Sequence, residues 1–371
     1  MPYFDHNATH PVSATARRAW LEALDRLPAN PSSLHRLGTR SATALEEARE
    51  QLSAWLGCTA DQVIWTSGAT ESNNAVLHHL AHSTHGEVWI SAIEHPCVLA
   101  SAQRWLPGRH RWIPVTPEGV VDELGLEQQF RSARPAAVAV MAANNETGIL
   151  QPWDRIRQCC QDHGVAYFCD AAQWVGKLPS AGLGLCDYVT GCAHKFGGPP
   201  GVGFLKVPNS FKPLLLGGSQ EEGRRAGTPN TAGILSMIAA LSERESAMGT
   251  VTHRIHWRDA FERQLIDLLP GVQILGEGRQ RLWNTITALM PPASDCRRRW
   301  VVKLDKLGCP VSTGSACASG KEQPSTVLTA MGHTPEDSDR MLRFSSGWES
   351  TASDWESLLA ALETAAAELL G

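Results

Sequence analysis

Short apolar segments alternate with helical segments from about residue 40 to about residue 207, and this alternation is the strongest constraint on the fold of the chain. Apolar residues recur with helical period at 40–56, 70–84 and 96–106, which predicts three helices. Short strands separated by helices of this length are typical of βαβ units on a mostly parallel sheet. The predicted strands are 62–66, 87–91, 111–115, 136–142, 165–170, 187–191 and 202–207.

The pattern changes after about residue 248. A long polar helix is predicted first, and separate strands and helices follow it, which is typical of an α+β unit. We therefore predict an α/β protein with a large domain at 14–248, built on a sheet of the seven-stranded type, and a smaller α+β domain formed by 1–13 and 249–371. The predicted elements of the smaller domain are helices 249–269, 296–308 and 352–370 and strands 272–275, 283–289 and 341–345.

The composition is that of a soluble globular protein, since 43% of the 371 residues are hydrophobic and 19% are charged. The net charge is −5 and no long basic tract is present, so we expect no direct binding to nucleic acid or to a membrane surface. No segment approaches the ~20 apolar residues of a membrane span, and the start of the sequence lacks the apolar core of a signal peptide. We therefore expect a cytoplasmic location, in which the ten cysteines are free thiols.

One cysteine stands in a segment made of small residues, STGSACASG at 312–320. The neighbours of Cys317 can bury no large apolar side chain, and their backbone loses much entropy if it becomes ordered. The residues alone leave two interpretations open: a surface loop with an incidental cysteine, or a loop that carries a reactive thiol.

Polar residues follow several predicted strands, at the edge of the sheet where ligands of open α/β proteins bind. The turn SGATES at 67–72 opens a helix after the first strand and offers amide groups to an anion such as a phosphate. The alternative is an ordinary helix start that is capped by Thr70 and Ser72. His95 and the segment NNETG, which contains Asn145, follow two further strands.

Two ionisable residues follow the next strands. Asp170 ends an apolar strand, where a carboxylate is costly to desolvate unless a cation meets it. Lys195 lies in the segment HKFGG, and a buried lysine with a lowered pKa can form a Schiff base with a carbonyl. A phosphate site, a strand-end aspartate and such a lysine together meet the needs of pyridoxal phosphate. A dinucleotide site is the rival, but no G-x-G-x-x-G opens a helix after a strand.

Eight motifs, in order along the chain, resemble those of the NifS/IscS-like (group I) cysteine desulfurases, which are fold-type I pyridoxal-phosphate enzymes of the class V aminotransferase group. The resemblance begins at FDHNATHP (4–11) and covers almost the whole chain. It implies a fold-type I transferase architecture and a homodimer. The eight motifs are TSGATESNN (66–74), EHPCV (94–98), NNETG (144–148), DAAQ (170–173), HKFGGPPGVG (194–203), RAGTPN (225–230), STGSAC (312–317) and LRFSSG (342–347).

The resemblance also implies roles around the cofactor. Lys195 would bond covalently to the cofactor aldehyde, Asp170 would pair with the pyridinium nitrogen, and Gln173 would hydrogen-bond the ring hydroxyl. His95 would stack on the ring and transfer protons. The residues implied to hold the phosphate are Ala69, Thr70, Cys192, His194 and Thr228, the last of these from the neighbouring subunit.

The implied reaction removes sulfur from L-cysteine, releases L-alanine and leaves a persulfide on Cys317 for transfer to a sulfur-acceptor protein. Asn145 and Arg343 would hold the substrate carboxylate, and Asn145 would also contact the cofactor. A mobile loop at about 312–322 would let Cys317 reach both the substrate and the acceptor. No metal is implied. The pathway stays open among iron–sulfur cluster assembly, tRNA thiolation, thiamine synthesis and DNA sulfur modification.

Two alternatives to this function stay open: a selenocysteine lyase or other class V enzyme, and a catalytically weak scaffold for sulfur transfer. Several positions also depart from the usual family pattern. Cys192 replaces a hydroxyl residue at the phosphate and is a weaker donor. His10 stands where threonine is common, and Trp348 where a basic residue is usual. Further departures are Pro200 for lysine, Ser219 for glycine, and Glu222 for arginine in a segment expected near the subunit interface.

Overall fold

The computed structural model describes residues 2–314 and 324–370, so Cys317 and most of the predicted loop at about 312–322 lie outside the described residues. Within them the α-helices are α1 (Ala14–Arg26), α2 (Arg36–Leu56), α3 (Ala69–Ser83), α4 (Pro96–Trp105), α5 (Glu123–Phe130), α6 (Trp153–Asp162), α7 (Thr231–Ala247), α8 (Val251–Leu268), α9 (Cys296–Lys306), α10 (Thr326–Ala330), α11 (Pro335–Ser338) and α12 (Ala352–Leu369). The strands are β1 (Val63–Thr66), β2 (Val88–Ser91), β3 (His110–Ile113), β4 (Ala137–Ala139), β5 (Ala166–Asp170), β6 (Tyr188–Cys192), β7 (Gly203–Lys206), β8 (Gln273–Ile274), β9 (Thr285–Leu289) and β10 (Met341–Ser345). In this part of the chain, none of the helices has both the length and the apolar content needed to cross a bilayer.

Strands β1 to β7 form the large sheet, in the order β1-β7-β6-β5-β4-β2-β3. Strand β7 runs antiparallel to its neighbours β1 and β6, and the other neighbouring strands pair in parallel. The apolar sequences of these strands, apart from the edge strand β3, follow from burial on both faces of the sheet. The predicted α/β fold, with a mostly parallel sheet of seven strands, is confirmed for the described part of the chain.

Apolar cores cover both faces of this sheet. Because successive side chains of a strand point to opposite faces, Ile64 packs with α3 and α4, whereas Trp65 packs in the core formed with α1, α2, α6 and α7. The sequence patterns did not identify α1 or α7, which pack against each other on the second face. Helices on both faces fix the strands, and they therefore fix the carboxyl ends from which the polar loops emerge.

The predicted elements overlap the observed ones and differ mainly at their ends. The clearest case is the predicted strand 136–142, since β4 spans Ala137–Ala139. The chain stays close to β5 beyond that point, because the backbone N–H groups of Val140 and Ala142 donate to the carbonyls of Phe168 and Asp170 at 3.1 and 2.9 Å. The apolar sequence thus predicts the buried extended segment, although regular pairing ends within it.

A separate core lies against the smaller sheet, whose strands pair antiparallel in the order β10-β9-β8. Helices α8, α9 and α12 contribute Phe261, Trp300 and Trp355 to it. Phe4 is fully buried in the same core, and its carbonyl accepts a hydrogen bond from the backbone N–H of Ser345 at 2.8 Å. The N-terminal segment thus packs with the last third of the chain. The domain limits at residues 13 and 248 stay a prediction.

Candidate active site

A cavity of about 520 Å³ opens where the chain leaves the carboxyl ends of β1, β2, β4, β5 and β6. Asn7 and Ala8 close it from the N-terminal segment, and Gly314 and Arg343 close it from the side of the smaller sheet. Ligands of open α/β proteins bind at this edge. The predicted site residues that line the cavity are Ala69, Thr70, His95, Asn145, Asp170, Gln173, Cys192, His194, Lys195 and Arg343.

Two predicted site residues are not among those that line the cavity. Thr228 lines an adjacent pocket, together with Ser67 and Gly201, which border both spaces. Its assignment to the phosphate of a neighbouring subunit stays a prediction. Cys317 lies outside the described residues, but Gly314, three positions before it, lines the cavity.

The turn after β1 leads directly into α3, and no side chain of the described residues caps this helix. Gly68 is the N-cap residue and makes no side-chain hydrogen bond. The Ser72 hydroxyl instead donates to the Phe204 carbonyl at 3.1 Å and contacts the Thr66 hydroxyl at 2.8 Å. The alternative of a helix start capped by Thr70 and Ser72 is therefore wrong. Amide groups in the first turn of a helix attract anions.

Asp170 ends β5 and is almost fully buried, and two neutral donors hold its carboxylate. Oδ1 accepts from the backbone N–H of Ala172 at 2.9 Å, and Oδ2 accepts from the side-chain amide of Asn73 at 2.7 Å. The carbonyl oxygen of Asn73 accepts in turn from the Thr190 hydroxyl at 2.6 Å. Asn73 was not identified from the sequence, although it lies one helical turn after Ala69. It is a positioning residue, because it acts through Asp170.

Lys195 follows β6 and contacts the N-terminal segment. Its Nζ donates to the carbonyl oxygens of Asn7 at 2.7 Å and Ala8 at 2.8 Å. This segment therefore helps to fix the ammonium group at the wall of the cavity. The sequence gives no sign of these two hydrogen bonds, because any residue type can supply a backbone carbonyl.

A second lysine, Lys177, is buried nearby and was also missed. Its Nζ donates to Oδ1 of Asn7 at 2.7 Å and to Oε1 of Gln173 at 2.5 Å. Burial lowers its pKa well below the usual value, and the charges of Lys195 and Arg343 lower it further. The Gln173 amide also donates to the carbonyl of Asn7 at 2.9 Å. Lys177 and Asn7 together therefore orient Gln173.

His95 is the N-cap residue of α4, and its Nδ1 accepts from the backbone N–H of Cys97 at 3.1 Å. The neutral ring therefore carries its proton on Nε2. Burial lowers the pKa of His95, Asp170 raises it, and Lys195 lowers it again. The Cys97 thiol lies 2.9 Å from the same Nδ1, and burial, followed by the charge of Asp170, raises its pKa to about 12. A neutral imidazole in a fixed orientation is suited to proton transfer.

Cys192 and His194 lie on the side of the cavity near the start of α3. Burial raises the pKa of Cys192 to about 11, and the backbone N–H of Ala69 hydrogen-bonds to this residue. Burial, followed by the charge of Lys195, lowers the pKa of His194 to about 4. Nδ1 of His194 lies 3.3 Å from the Thr9 hydroxyl. Both side chains are therefore neutral at neutral pH and can contribute hydrogen bonds but no charge.

Arg343 lies on β10 and is buried at the wall of the cavity. Its Nη2 pairs with Oδ1 of Asp5 at 2.7 Å, and its Nη1 donates to the carbonyls of Asn145 at 2.7 Å and Gly314 at 3.1 Å. Its Nε is buried and has no hydrogen-bond partner among the described residues. Since an unpaired buried donor is costly, this nitrogen is suited to a further acceptor. Asn145 contacts the guanidinium through its backbone rather than its side chain.

Comparison with known proteins was made on this basis. The aminotransferase class-V family matches residues 2–358. A protein described as cysteine desulfurase IscS, from Dictyoglomus turgidum, is 35% identical over 97% of this chain and 93% of its own. A NifS-like protein from Rickettsia africae ESF-5 has a similar solved structure, with a TM-score of 0.88 and 27% identity over 98% of this chain and 99% of that one. A structure described as SspA in complex with cysteine has a TM-score of 0.80 and 27% identity over 93% and 99% of the two chains.

The large sheet and the extent of the match define the class of protein, and the chain belongs to the aminotransferase class-V family. Enzymes of this class depend on pyridoxal phosphate. Within the family the chain groups with the NifS/IscS-like cysteine desulfurases, since that is the description of the relatives and solved structures that it matches over almost its whole length. The family resemblance inferred from the eight motifs is confirmed.

Glu94 is buried beside the cavity residues, and its carboxyl group has a raised pKa. Its Oε1 accepts from the backbone N–H of Met141 at 2.6 Å. Burial, followed by the charge of Asp170, raises the pKa of Glu94 well above 4.5. Between 4.5 and the raised value the folded chain holds a proton that the unfolded chain has lost. This group therefore makes the folded state less stable as the pH rises through that window.

We expect Glu94→Gln to raise the free energy of unfolding at about pH 8 more than at about pH 5, because glutamine keeps the acceptor and removes the titration. The slope removed is about 1.4 kcal/mol per pH unit wherever the two states differ by one proton. Urea unfolding at both pH values measures it. Glu356→Gln, an exposed position on α12, is the matched control and should change neither value by more than about 0.5 kcal/mol. An equal effect of Glu94→Gln at both pH values would refute the assignment.

Proposed function

We propose that this chain is a pyridoxal-phosphate-dependent cysteine desulfurase. In the proposed reaction the C–S bond of L-cysteine breaks and an S–S bond forms on Cys317, which gives L-alanine and a Cys317 persulfide. The atoms of L-cysteine and of the Cys317 thiol are all accounted for in L-alanine and the persulfide, so the reaction needs no added oxidant or reductant. The observation that carries the proposal is the convergence of Lys195, Asp170 and the uncapped start of α3 on one cavity, in a chain of this family.

The donor set fits the cofactor. When bound, pyridoxal phosphate supplies an aldehyde that bonds to amino groups and a ring that withdraws electrons from the α-carbon. Lys195 would hold the aldehyde through Nζ, and the Asp170 carboxylate would keep the ring nitrogen protonated. Gln173, which Lys177 orients through a 2.5 Å contact, would hydrogen-bond the ring hydroxyl. His95 would pack on the ring.

The phosphate would lie at the start of α3. The backbone amide of Thr70 would donate to the phosphate, and that of Ala69, which hydrogen-bonds to Cys192, would do so as well. Cys192 and His194 would contribute neutral hydrogen bonds. Thr228 would reach the phosphate from the neighbouring subunit.

Arg343 and Asn145 would hold the substrate carboxylate. Arg343 is suited to this role because its buried Nε has no hydrogen-bond partner among residues 2–314 and 324–370. Asp5 and the Asn145 carbonyl hold Nη2 and Nη1, so the guanidinium keeps a single orientation. A guanidinium in a fixed orientation binds carboxylates with geometric selectivity.

Proton transfer would be shared by two residues. Nζ of Lys195 would take the proton from the α-carbon of the substrate. Nε2 of His95, whose Nδ1 is occupied by the backbone N–H of Cys97, would exchange a proton with the thiol groups. Cys317 follows Gly314, which lines the cavity, by three residues, and its thiol would attack the substrate sulfur. A sulfur-acceptor protein would then remove the persulfide.

We expect Cys317→Ala to lower alanine formation from L-cysteine at least about 100-fold, because no thiol remains to attack the substrate sulfur. Alanine is measured with a thiol reductant present, and cofactor absorbance is recorded for each variant. Cys159→Ala, a partly buried thiol on α6 outside the cavity, is the matched control and should keep full activity.

Other outcomes of this assay separate the alternatives. Equal turnover in Cys317→Ala and the native chain would rule out Cys317 as the nucleophile and favour a lyase or another amino-acid substrate. No turnover in the native chain, with cofactor bound, would favour the scaffold.

In the same assay Arg343→Lys should mainly raise KM for L-cysteine, and an unchanged KM would contradict the carboxylate role.

Asn73→Ala should weaken pyridoxal-phosphate binding about 10- to 100-fold, because a hydrogen bond to a charged group contributes about 1.5–3 kcal/mol and this one orients Asp170. Absorbance titration of the cofactor-free protein gives the dissociation constant. The exposed residue Asn209 provides the matched control, Asn209→Ala, which should bind normally. If Asn73→Ala binds as tightly as the native chain, Asn73 does not position Asp170 for the cofactor.

We expect a homodimer, with twice the 40.2 kDa mass of the chain in sedimentation equilibrium. Helices α1 and α2 and their linker expose four leucines, Leu21, Leu24, Leu34 and Leu37, and Leu34 is fully exposed. Exposed leucines of this kind would be suited to a subunit interface. The double substitution Leu24→Glu and Leu34→Glu should therefore give a monomer with weaker cofactor binding. Leu124→Glu on α5 is the control for an exposed leucine elsewhere, and a monomeric native chain would contradict the proposal.

A further inference from the structure

Two histidines and a glutamate lie together outside the active-site cavity. His6, His10 and Glu349 each place one possible ligand atom within 4.8 Å of the others. Both histidines are buried, with 5% and 4% of their surface exposed, and their rings meet edge to face at 4.6 Å between centroids. The Glu349 side chain is half exposed and therefore connects the pair to solvent.

The other ring nitrogens of the two histidines fix their orientation. Nδ1 of His10 lies 2.7 Å from the carbonyl of Pro11, and Nδ1 of His6 lies 3.3 Å from the carbonyl of Ser345. A carbonyl can accept only, so each Nδ1 carries the proton and each neutral ring presents a lone pair on Nε2. Histidines that bind metals are typically held in this way, with the second nitrogen donating to a carbonyl or carboxylate.

Glu349 supplies the negative charge. Its Oε1 accepts from Nη2 of Arg244 at 2.8 Å, which leaves Oε2 at 3.0 Å from Nε2 of His10. A carboxylate oxygen and an imidazole lone pair repel each other at this distance unless a proton or a metal ion lies between them. The backbone N–H of Trp348 also approaches Nε2 of His10, but at 3.4 Å the contact is long. The alternative to a metal is therefore an ion pair between Glu349 and a protonated His10.

The neighbouring space suits an ion with an open coordination position. A pocket of about 350 Å³ is lined by His6 and Glu349, together with Tyr3 and Asp354. Two neutral imidazoles and one carboxylate are ligands that zinc and similar ions prefer. His10 is one of the departures from the family pattern, and Trp348, next to Glu349, is another.

We propose that His6, His10 and Glu349 bind one divalent transition-metal ion of the zinc class, in a site separate from the cofactor cavity. The site joins the N-terminal segment to the turn that follows β10. Between the two histidines lie Asn7 and Ala8, whose carbonyls accept the hydrogen bonds of Lys195 at 2.7 and 2.8 Å. The bound ion therefore clamps the segment that positions Lys195. This inference does not depend on the proposed reaction.

Zinc binding to the cofactor-loaded protein tests the proposal directly. The Cys317→Ala background is used because a reactive thiol binds zinc by itself. The protein is freed of metal with a chelator and titrated with Zn²⁺ in a calorimeter. We expect one Zn²⁺ per chain, reversed by the chelator. Absence of binding, with the cofactor absorbance intact, would overturn the proposal and leave the ion pair as the explanation of the cluster.

Substitutions assign the binding to these residues. His6→Gln, His10→Gln and Glu349→Gln should each lower the affinity at least about 10- to 100-fold, the cost of losing even an outer-shell partner in metal sites. Glu349 is half exposed, so Glu349→Gln keeps the fold if a histidine variant does not. His82→Ala is the matched control, because His78 and His82 form another close histidine pair, one turn apart on α3. Equal affinity in the Gln variants and the native chain, or loss of binding in His82→Ala, would overturn the assignment.

Hydrogen exchange tests the clamp. The backbone N–H of His10 donates to the carbonyl of His194 at 2.7 Å, and that of His6 donates to Ser345 at 3.1 Å. Zn²⁺ should slow the exchange of both amides in the native sequence and leave them unchanged in Glu349→Gln. Unchanged exchange with Zn²⁺ bound would show that the ion does not hold the segment, which contradicts the clamp.

Discussion

The lysine and arginine side chains around the cavity depend on oxygens from one short segment. Within the described residues, Lys177, Lys195 and Arg343 contact Asn7, Ala8 and Asp5 respectively, at 2.7 to 2.8 Å. A buried cation is costly unless hydrogen bonds or opposite charge satisfy it. The N-terminal segment supplies both, since Asp5 brings a carboxylate and the next residues bring neutral oxygens. Phe4 anchors the segment in the core of the smaller sheet, so the two parts of the molecule meet where the cations lie.

This arrangement leaves the cavity suited to anions. Burial is the main cause that lowers the pKa of Lys177, His95 and His194, and the charge of Lys195 lowers all three further. Neutral donors, rather than cations, hold the Asp170 carboxylate, so its charge stays available to a ring nitrogen. An anion that enters the cavity meets the hydrogen-bond donors of Lys195 and Arg343 and of the first turn of α3. A phosphate and a carboxylate are the anionic groups that the proposed reaction brings there.

The sequence predicted residues at the ends of strands and missed residues whose partners are distant in sequence. His95, Asp170 and Lys195 were predicted because each follows an apolar strand, and strand ends of a parallel sheet share one edge. Asn73 contacts Asp170 across 97 residues of sequence, and Lys177 contacts Asn7 across 170 residues. No periodicity or local spacing encodes such a pair, since the chain must fold before the two residues meet. Ala8 and, toward Lys195, Asn7 act through backbone oxygens, which leave no residue-type signal.

Burial also shifts the pKa values of two thiols that line the cavity. Burial raises the pKa of Cys97 to about 12 and that of Cys192 to about 11, and the charge of Asp170 adds to both shifts. The thiolate is the nucleophilic form, so these two side chains stay protonated and unreactive near neutral pH. Both line the cavity, and proximity to the substrate therefore does not decide which cysteine takes the sulfur. Cys317 differs from both in sequence, because its neighbours are small residues that offer no large apolar side chain to cover a thiol. In the proposed reaction, neither Cys97 nor Cys192 would offer a thiolate to take the sulfur from Cys317.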